Sequence, residues 1–255
     1  MNHFTDKPPI VVGASRGLGR GIATAFAEAG APVVAVSRTP TAFPDLASHH
    51  TRNGAGTIRA EVADAGDATV PARLIDRYEP QAIILVAGAT PHMRPLQNQT
   101  WETFSVNWHT DVRVAFHWLR EALLTPLRPG SRVVVVSSGV ALNPNGSPLS
   151  GGYAGAKATQ RLITVYAQGE ANRAGLDITF TTVLPYFSPQ TGVGEPAVRA
   201  YAARAGQPVE EFLRQQPPLV TPEVAGTAMI ELVKADPAQV APAYRLSGQG
   251  LQKLP

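Results

Sequence analysis

Cysteine is absent from this 255-residue chain, which rules out disulfides and thiolate chemistry together and suits a reducing compartment. No apolar run approaches the roughly 18 to 20 residues a membrane helix needs, and the opening MNHFTDKPP lacks the charged-then-apolar layout of a secretory signal. The chain therefore reads as cytoplasmic, with no membrane partner. Lysine is scarce and no Lys/Arg run occurs, so the formal net charge of +3 reads as arginine scattered over a solvated surface, not as a nucleic-acid footprint. His49, His50, His92, His109 and His117 lack acidic partners at ligand spacing and have no cysteine to help, which argues against a metal. A hydrolase elbow, Gly-x-Ser-x-Gly, is missing too.

What is present is a chain that is 44% hydrophobic and 16% charged, long enough to bury a full core. Short apolar runs recur at 9–12, 32–36, 57–62, 82–86, 132–136, 177–184 and 243–246, with helix-like stretches between them. Runs such as AIILVA and RVVVVSS are apolar on both faces, which predicts an α/β fold with a mostly parallel sheet of about seven strands covered by helices on both sides. Gly30 marks the end of a helix over 18–29. No linker divides the chain and no repeat is visible, so 1–255 reads as one domain. The stretch 185–218, rich in Pro, Gly and Gln, reads as a substrate lid inserted into it.

VVGASRGLGRG follows the first apolar run and opens the first helix. Gly13, Gly17 and Gly19 stand where a phosphate-binding turn needs positive φ, close backbone approach and an open helix N-terminus. Dinucleotide binding follows from that position, a plain tight turn being the alternative. The second run ends VVAVSRTP, with Ser37 and Arg38 where an NAD-preferring site carries an acid for the ribose 2′-hydroxyl. Arg38, and Arg16 inside the glycine loop, suit a phosphate monoester, so NADP(H) is the expected cofactor.

Tyr153 and Lys157 in SGGYAGAKATQRL lie one helical turn apart on one face. An ammonium and a cationic nicotinamide near a phenol favour phenolate and make it usable in acid-base chemistry. Ser138, ending the run RVVVVSS at the sheet edge where α/β folds place ligands, supplies a hydroxyl for a carbonyl. Trp101, Trp108 and Trp118 share one helical region and read as core or subunit contact.

Together these residues resemble the short-chain dehydrogenase/reductase family, through the loop Gly13 to Gly19, EVAD at Glu61 to Asp64, AG at Ala87-Gly88, VN at Val106-Asn107, VSS at Val136 to Ser138 and YAGAK at Tyr153 to Lys157. The resemblance implies a single-domain Rossmann-type, doubly wound fold. It implies Tyr153 as general acid in reduction and Lys157 as the group that holds the nicotinamide ribose and lowers the tyrosine pKa. Ser138 would orient the carbonyl, and Asn107 would anchor a water that leads protons from Lys157. Cofactor contacts are implied for Gly13, Ser15, Arg16, Gly17, Leu18, Gly19, Ser37, Arg38, Glu61, Val62, Ala87, Gly88 and Pro185, with Tyr153 and Lys157; Glu61 would approach the adenine.

Several positions depart from the family pattern. Val12 and Val86 replace a Thr and an Asn, so both polar groups of one contact are lost together, which predicts a repacked contact. Pro185-Tyr186 stands where the family has Pro-Gly, and Thr191 falls one place late. Two extra residues lie between Ser138 and Tyr153, which reshapes the substrate mouth.

The expected activity is NADPH-dependent interconversion of a ketone or aldehyde with an alcohol. The alternative is a non-catalytic NADP(H)-binding sensor or scaffold. Met93, Val140, Leu142, Tyr186 and Phe187 are expected to line an apolar pocket, with His92 or Arg94 as an anion contact, for a medium-sized apolar or aromatic ketone. The resemblance further implies a homodimer or homotetramer through the helices 100–124 and 152–172.

Overall fold

In the computed structural model, which describes residues 7–40, 56–143 and 147–254, β-branched runs become strands buried on both faces. The strands are β1 (Ile10–Val12), β2 (Val33–Ser37), β3 (Ile58–Val62), β4 (Ala82–Leu85), β5 (Ser131–Val136), β6 (Ile178–Pro185), β7 (Ala243–Ser247) and β8 (Gly250–Leu254). They form one sheet in the order β3-β2-β1-β4-β5-β6-β7-β8, parallel except for the last pair. All seven expected strands form. The eighth escaped the sequence reading because GLQKL carries little apolar signal. It pairs with β7 across a two-residue hairpin at Gly248-Gln249 and ends the sheet on an edge that exposes Gln252 and Lys253.

Described helices are α1 (Gly17–Glu28), α2 (Thr69–Tyr78), α3 (Trp101–Asn107), α4 (Arg113–Leu124), α5 (Gly151–Arg173), α6 (Gly194–Arg204), α7 (Val209–Arg214) and α8 (Pro222–Lys234). One sheet face buries Ile22 and Phe26 of α1 with Met229 and Leu232 of α8. The other buries Leu74 of α2, Trp118 of α4 and Ala171 of α5, so the sheet is doubly wound. α1 ends as expected at Gly30, where the Ala31 N–H donates to the Phe26 carbonyl at 3.0 Å. The stretch 100–124 is not one regular helix, because a π-helical turn, Trp108–Val112, separates α3 from α4. Within 185–218, α6 and α7 form. None of the described helices is long and apolar enough to cross a membrane.

The strand order reverses between β1 and β4, so the connections leaving their carboxyl ends run in opposite directions and open a crevice there. Val12 and Val86 meet at this point. The N–H groups of Val86 and Ala87 both donate to the Val12 carbonyl at 2.9 Å, while Val12 is fully buried. Backbone bonds and apolar packing thus make the contact without polar side chains, as expected of the paired replacement.

Candidate active site

The crevice opens into a cavity of about 1070 Å³ that runs from Arg38 past the glycine loop to Tyr153 and on to Phe212. That exceeds the usual range for one drug-sized ligand, leaving room for an extended cofactor and a substrate together. Its first wall is the β1–α1 turn. Gly13 sits at φ 91°, and a Cβ there would lie 2.6 Å from the Ala87 backbone. A Cβ at Gly19 would lie 2.2 Å from the Gly13 carbonyl oxygen, so the helix could not start so close to the strand. Arg16 occupies the N-cap of α1 and makes no side-chain capping bond, which leaves the first helical N–H groups open to an anion.

Gly13, Ser15, Arg16, Gly17, Leu18, Gly19, Ser37, Arg38, Ala87, Gly88 and Pro185 all line the cavity. The exposed Arg16 and Arg38 both line the cavity, and a Cβ on residue 192, after β6, would lie 3.6 Å from the Arg16 guanidinium carbon. Glu61 and Val62 do not line it. The Glu61 carboxylate turns toward α2, where it meets Arg77 at 3.1 Å, Arg73 at 3.8 Å and the Tyr78 hydroxyl, and it lies 3.8 Å from Arg59 on its own strand. Three guanidinium groups and a phenol outside the cavity hold it there. Asp64 takes the place at the cavity wall, its Oδ1 accepting from the Gly66 N–H at 2.9 Å.

At the other end, β5 delivers Ser138 and α5 delivers Tyr153 and Lys157, all three on the cavity wall. Helix and strand are pinned together by the Ser137 hydroxyl, which donates to the Lys157 carbonyl at 2.8 Å. Ser138 lies close enough to Tyr153 to favour its phenolate, and the Lys157 Nζ lies 5.5 Å from the centre of the Tyr153 ring. Desolvation pushes the Tyr153 phenol above its ordinary value, against the pull of Lys157 and Ser138, and the Asp111 charge adds to the rise. For Lys157, burial disfavours the ammonium, but the Asp111 carboxylate and Tyr153 together outweigh this and raise its pKa.

Asn107 is not on the cavity wall. It is buried, its Nδ2 donating to the Ala89 carbonyl at 2.8 Å and to Asp111 Oδ1 at 3.2 Å. Lys157 instead meets Asp111 Oδ2 at 3.0 Å and donates to Gln160 Oε1 at 3.0 Å. The sequence reading missed Asp111, although its spacing from Asn107 matches that of Tyr153 and Lys157.

Met93, Val140, Tyr186 and Phe187 line the cavity as expected, whereas Leu142, His92 and Arg94 do not. The Arg94 N–H is tied to the Leu149 carbonyl at 2.8 Å, and Arg204 joins Arg16 and Arg38 in lining the cavity. Tyr186 stacks under Arg245, whose guanidinium carbon lies 5.2 Å from the ring centre. Thr191 also lines the cavity, its hydroxyl donating to the Ser188 carbonyl at 2.8 Å and accepting from the Gly194 N–H at 2.9 Å. Tyr201, Ser147 and Ser150 form a hydroxyl cluster beside Tyr153, with Tyr201 and Ser150 2.7 Å apart. Of the tryptophans, Trp118 is fully buried and donates to the Ala65 carbonyl at 3.2 Å, while Trp101 and Trp108 face outward. His49 and His50 lie outside the described residues.

The family model described as short chain dehydrogenase matches residues 7–200. The chain belongs to the short-chain dehydrogenase/reductase family. Members of this family are NAD(P)-binding oxidoreductases, and this chain spans 58 to 59% of the length of the Metarhizium relatives it matches. A short-chain type dehydrogenase/reductase of Picea abies is 34% identical over 193 residues, 69% of this chain and 68% of that one. A hydroxynaphthalene reductase-like protein of Metarhizium robertsii is 31% identical over 161 residues, covering 61% of this chain and 59% of that relative's length. Among solved structures, a short chain dehydrogenase from Mycobacterium avium superposes with a TM-score of 0.76 at 20% identity over 99% of this chain and 86% of its own. One from Burkholderia cenocepacia, solved in complex with NADP, gives 0.77 at 21% over 96% and 98%. At such identities the structures speak for the fold. The family match ends within α6, so Arg204, Phe212 and Gln216, which line the outer cavity, lie beyond it.

Proposed function

We propose that this short-chain dehydrogenase/reductase is an NADPH-dependent carbonyl reductase. The observation that carries the reading is a single cavity lined by the glycine loop with Arg16 and Arg38 and by Ser138, Tyr153 and Lys157. The open N–H groups of α1 suit the pyrophosphate, and the two arginines suit a 2′-phosphate. NADPH, when bound, supplies a hydride to the carbonyl carbon. Ser138 holds the carbonyl oxygen, Tyr153 gives it a proton, and Lys157 binds the nicotinamide ribose. Phe187, Tyr201 and Phe212 pack edge to face around the outer cavity, with ring centres 6.1 and 5.8 Å apart, which favours an apolar or aromatic ketone.

Residues 1–255 act as one catalytic domain, the segment 185–218 closes over the substrate, and the enzyme works in the cytoplasm. Trp101, Phe116, Leu124, Leu162 and Tyr166 leave an exposed apolar face on α3, α4 and α5, which suits a second copy of the chain, in a homodimer or homotetramer. Sedimentation measurements test that part.

The central test is a fluorescence titration with NADPH and NADH, repeated on Arg38→Ala and Arg16→Ala, followed by a ketone panel read as NADPH oxidation. Each lost charged contact should weaken NADPH by about 10- to 100-fold and leave NADH unchanged. Tyr153→Phe should retain NADPH binding and lose nearly all turnover. Equal binding of the two nucleotides would refute the cofactor preference. A second reading, an NADP(H)-binding sensor without turnover, draws on Tyr186, whose bulk occupies a cavity position that is glycine in the family pattern. Nucleotide binding with no oxidation across the panel would favour it.

A further inference from the structure

Asp111 is a charged side chain with no solvent exposure, set in a π-helical turn and lining the catalytic end of the cavity. Its position is built by several elements. The Ala89 N–H donates to Oδ1 at 2.8 Å, Asn107 Nδ2 reaches the same oxygen at 3.2 Å, and Gln160 Nε2 donates to the Asp111 carbonyl at 2.9 Å. A Cβ on residue 88 would lie 2.8 Å from Oδ2, so Gly88 leaves the carboxylate its space. Oδ2 then sits 3.0 Å from Lys157 Nζ as an ion pair, and Nζ donates to Gln160 Oε1 at 3.0 Å. A buried ion pair costs more in desolvation than an apolar pair of equal size, so stability alone does not account for it.

Building on the reductase reading, we infer that Asp111 is a positioning residue that neutralises Lys157 toward Tyr153, so that the tyrosine keeps its proton and the site protonates a carbonyl in preference to deprotonating an alcohol. A lone ammonium 5.5 Å from the ring would favour phenolate by roughly two pH units at an effective dielectric near 20. The Asp111 charge, 3.0 Å from that ammonium, cancels more than half of this. The titratable groups acting on Tyr153 are Lys157 on its own helix, Asp111 from the π turn and Tyr201 from α6, with the Ser138 hydroxyl from the end of β5. In reduction the Tyr153 proton passes to the carbonyl oxygen as the hydride reaches its carbon. The phenolate left behind then recovers a proton, and a neutralised Lys157 makes that recovery favourable.

The test follows the Tyr153 proton directly. Near-ultraviolet absorbance of phenolate is titrated in the wild type, Tyr153→Phe and Asp111→Asn, alongside the pH profile of NADPH oxidation. The wild type minus Tyr153→Phe difference gives the wild-type phenolate transition as the reference. Asp111→Asn should move that transition, and the alkaline limb of reductase activity, down by about one unit. An Asp111→Asn transition or alkaline limb that stays or rises overturns the inference. If Asp111→Asn does not fold, Asp111→Ser, which also removes the charge, takes its place in both titrations. Because the absorbance titration needs no turnover, failure of the ketone panel would sink the reductase reading without deciding this one.

Discussion

Replacing Lys157 by Met leaves the Asp111 carboxylate without its counter-ion in a place that admits no water-exposed surface. Asp111 is fully buried and Lys157 is 4% exposed, so neither charge is relieved by solvent. Breaking a buried pair from one side costs about 3 to 5 kcal/mol, because the remaining charge keeps its desolvation cost and loses its partner. Two hydrogen bonds, from the Ala89 N–H and Asn107, still hold the carboxylate, which places the expected loss near the lower end, about 3 kcal/mol. For a chain of this size that corresponds to a fall in Tm of roughly 6 to 12 °C. Adding Asp111→Asn removes the charge and keeps an oxygen for the Ala89 N–H, so the double variant should recover about 2 kcal/mol. Urea unfolding of wild type, both single variants and the double variant measures the coupling. The pH sign is fixed by the raised pKa of Lys157. Its contribution is present below the ordinary value of 10.5 and is lost only as pH rises through the higher folded value, so stability should show no loss from this group between pH 7 and 10. A double variant no more stable than Lys157→Met would refute the reasoning, since the buried carboxylate would then carry no penalty.

Gly19→Ala forces a Cβ within 2.2 Å of the Gly13 carbonyl, so the loop must shift; stability should fall by about 1 to 3 kcal/mol and NADPH affinity at least tenfold, read by denaturation and fluorescence titration. Asp64→Ala should weaken nucleotide binding several-fold, whereas Glu61→Ala, which breaks a cluster outside the cavity, should leave it unchanged; the opposite ranking would return the adenine contact to Glu61. Trp118→Ala empties the centre of one core layer and orphans the Ala65 carbonyl, at a cost of about 3 to 5 kcal/mol by urea unfolding, while Trp101→Ala on the exposed side should cost less than about 0.5.

The strands of this protein were legible because a parallel sheet covered on both faces needs uninterrupted apolar runs, and VVAV of β2, AIIL of β4 and VVVV of β5 are such runs. β8 was not, because an edge strand that pairs on one side only has no reason to be apolar throughout. The same contrast divides the site. The glycine loop and the Tyr153–Lys157 pair are local motifs whose spacing already states their geometry. Asp64 and Glu61 are separated by three positions on one short segment, and which of them faces the cavity is decided by the arginines of α2, which no local pattern announces.

Asp111 shows why the catalytic end was only half readable. Lys157 and Tyr153 come from α5, but the charge that sets their balance comes from another helix, turned inward by a π-helical turn that periodicity at 3.6 residues does not foresee. Asn107, read as the anchor of a water, bonds Asp111 and therefore reaches Lys157 through that carboxylate. The one clue in the sequence is an acid four residues beyond Asn107 in a helix whose neighbours are packed into the core. A carboxylate cannot be left there without a cation, and within reach of that face the chain brings only Lys157 to it as an ion pair among the described residues. The pairing then follows from burial, and the altered proton balance of Tyr153 follows from the pairing.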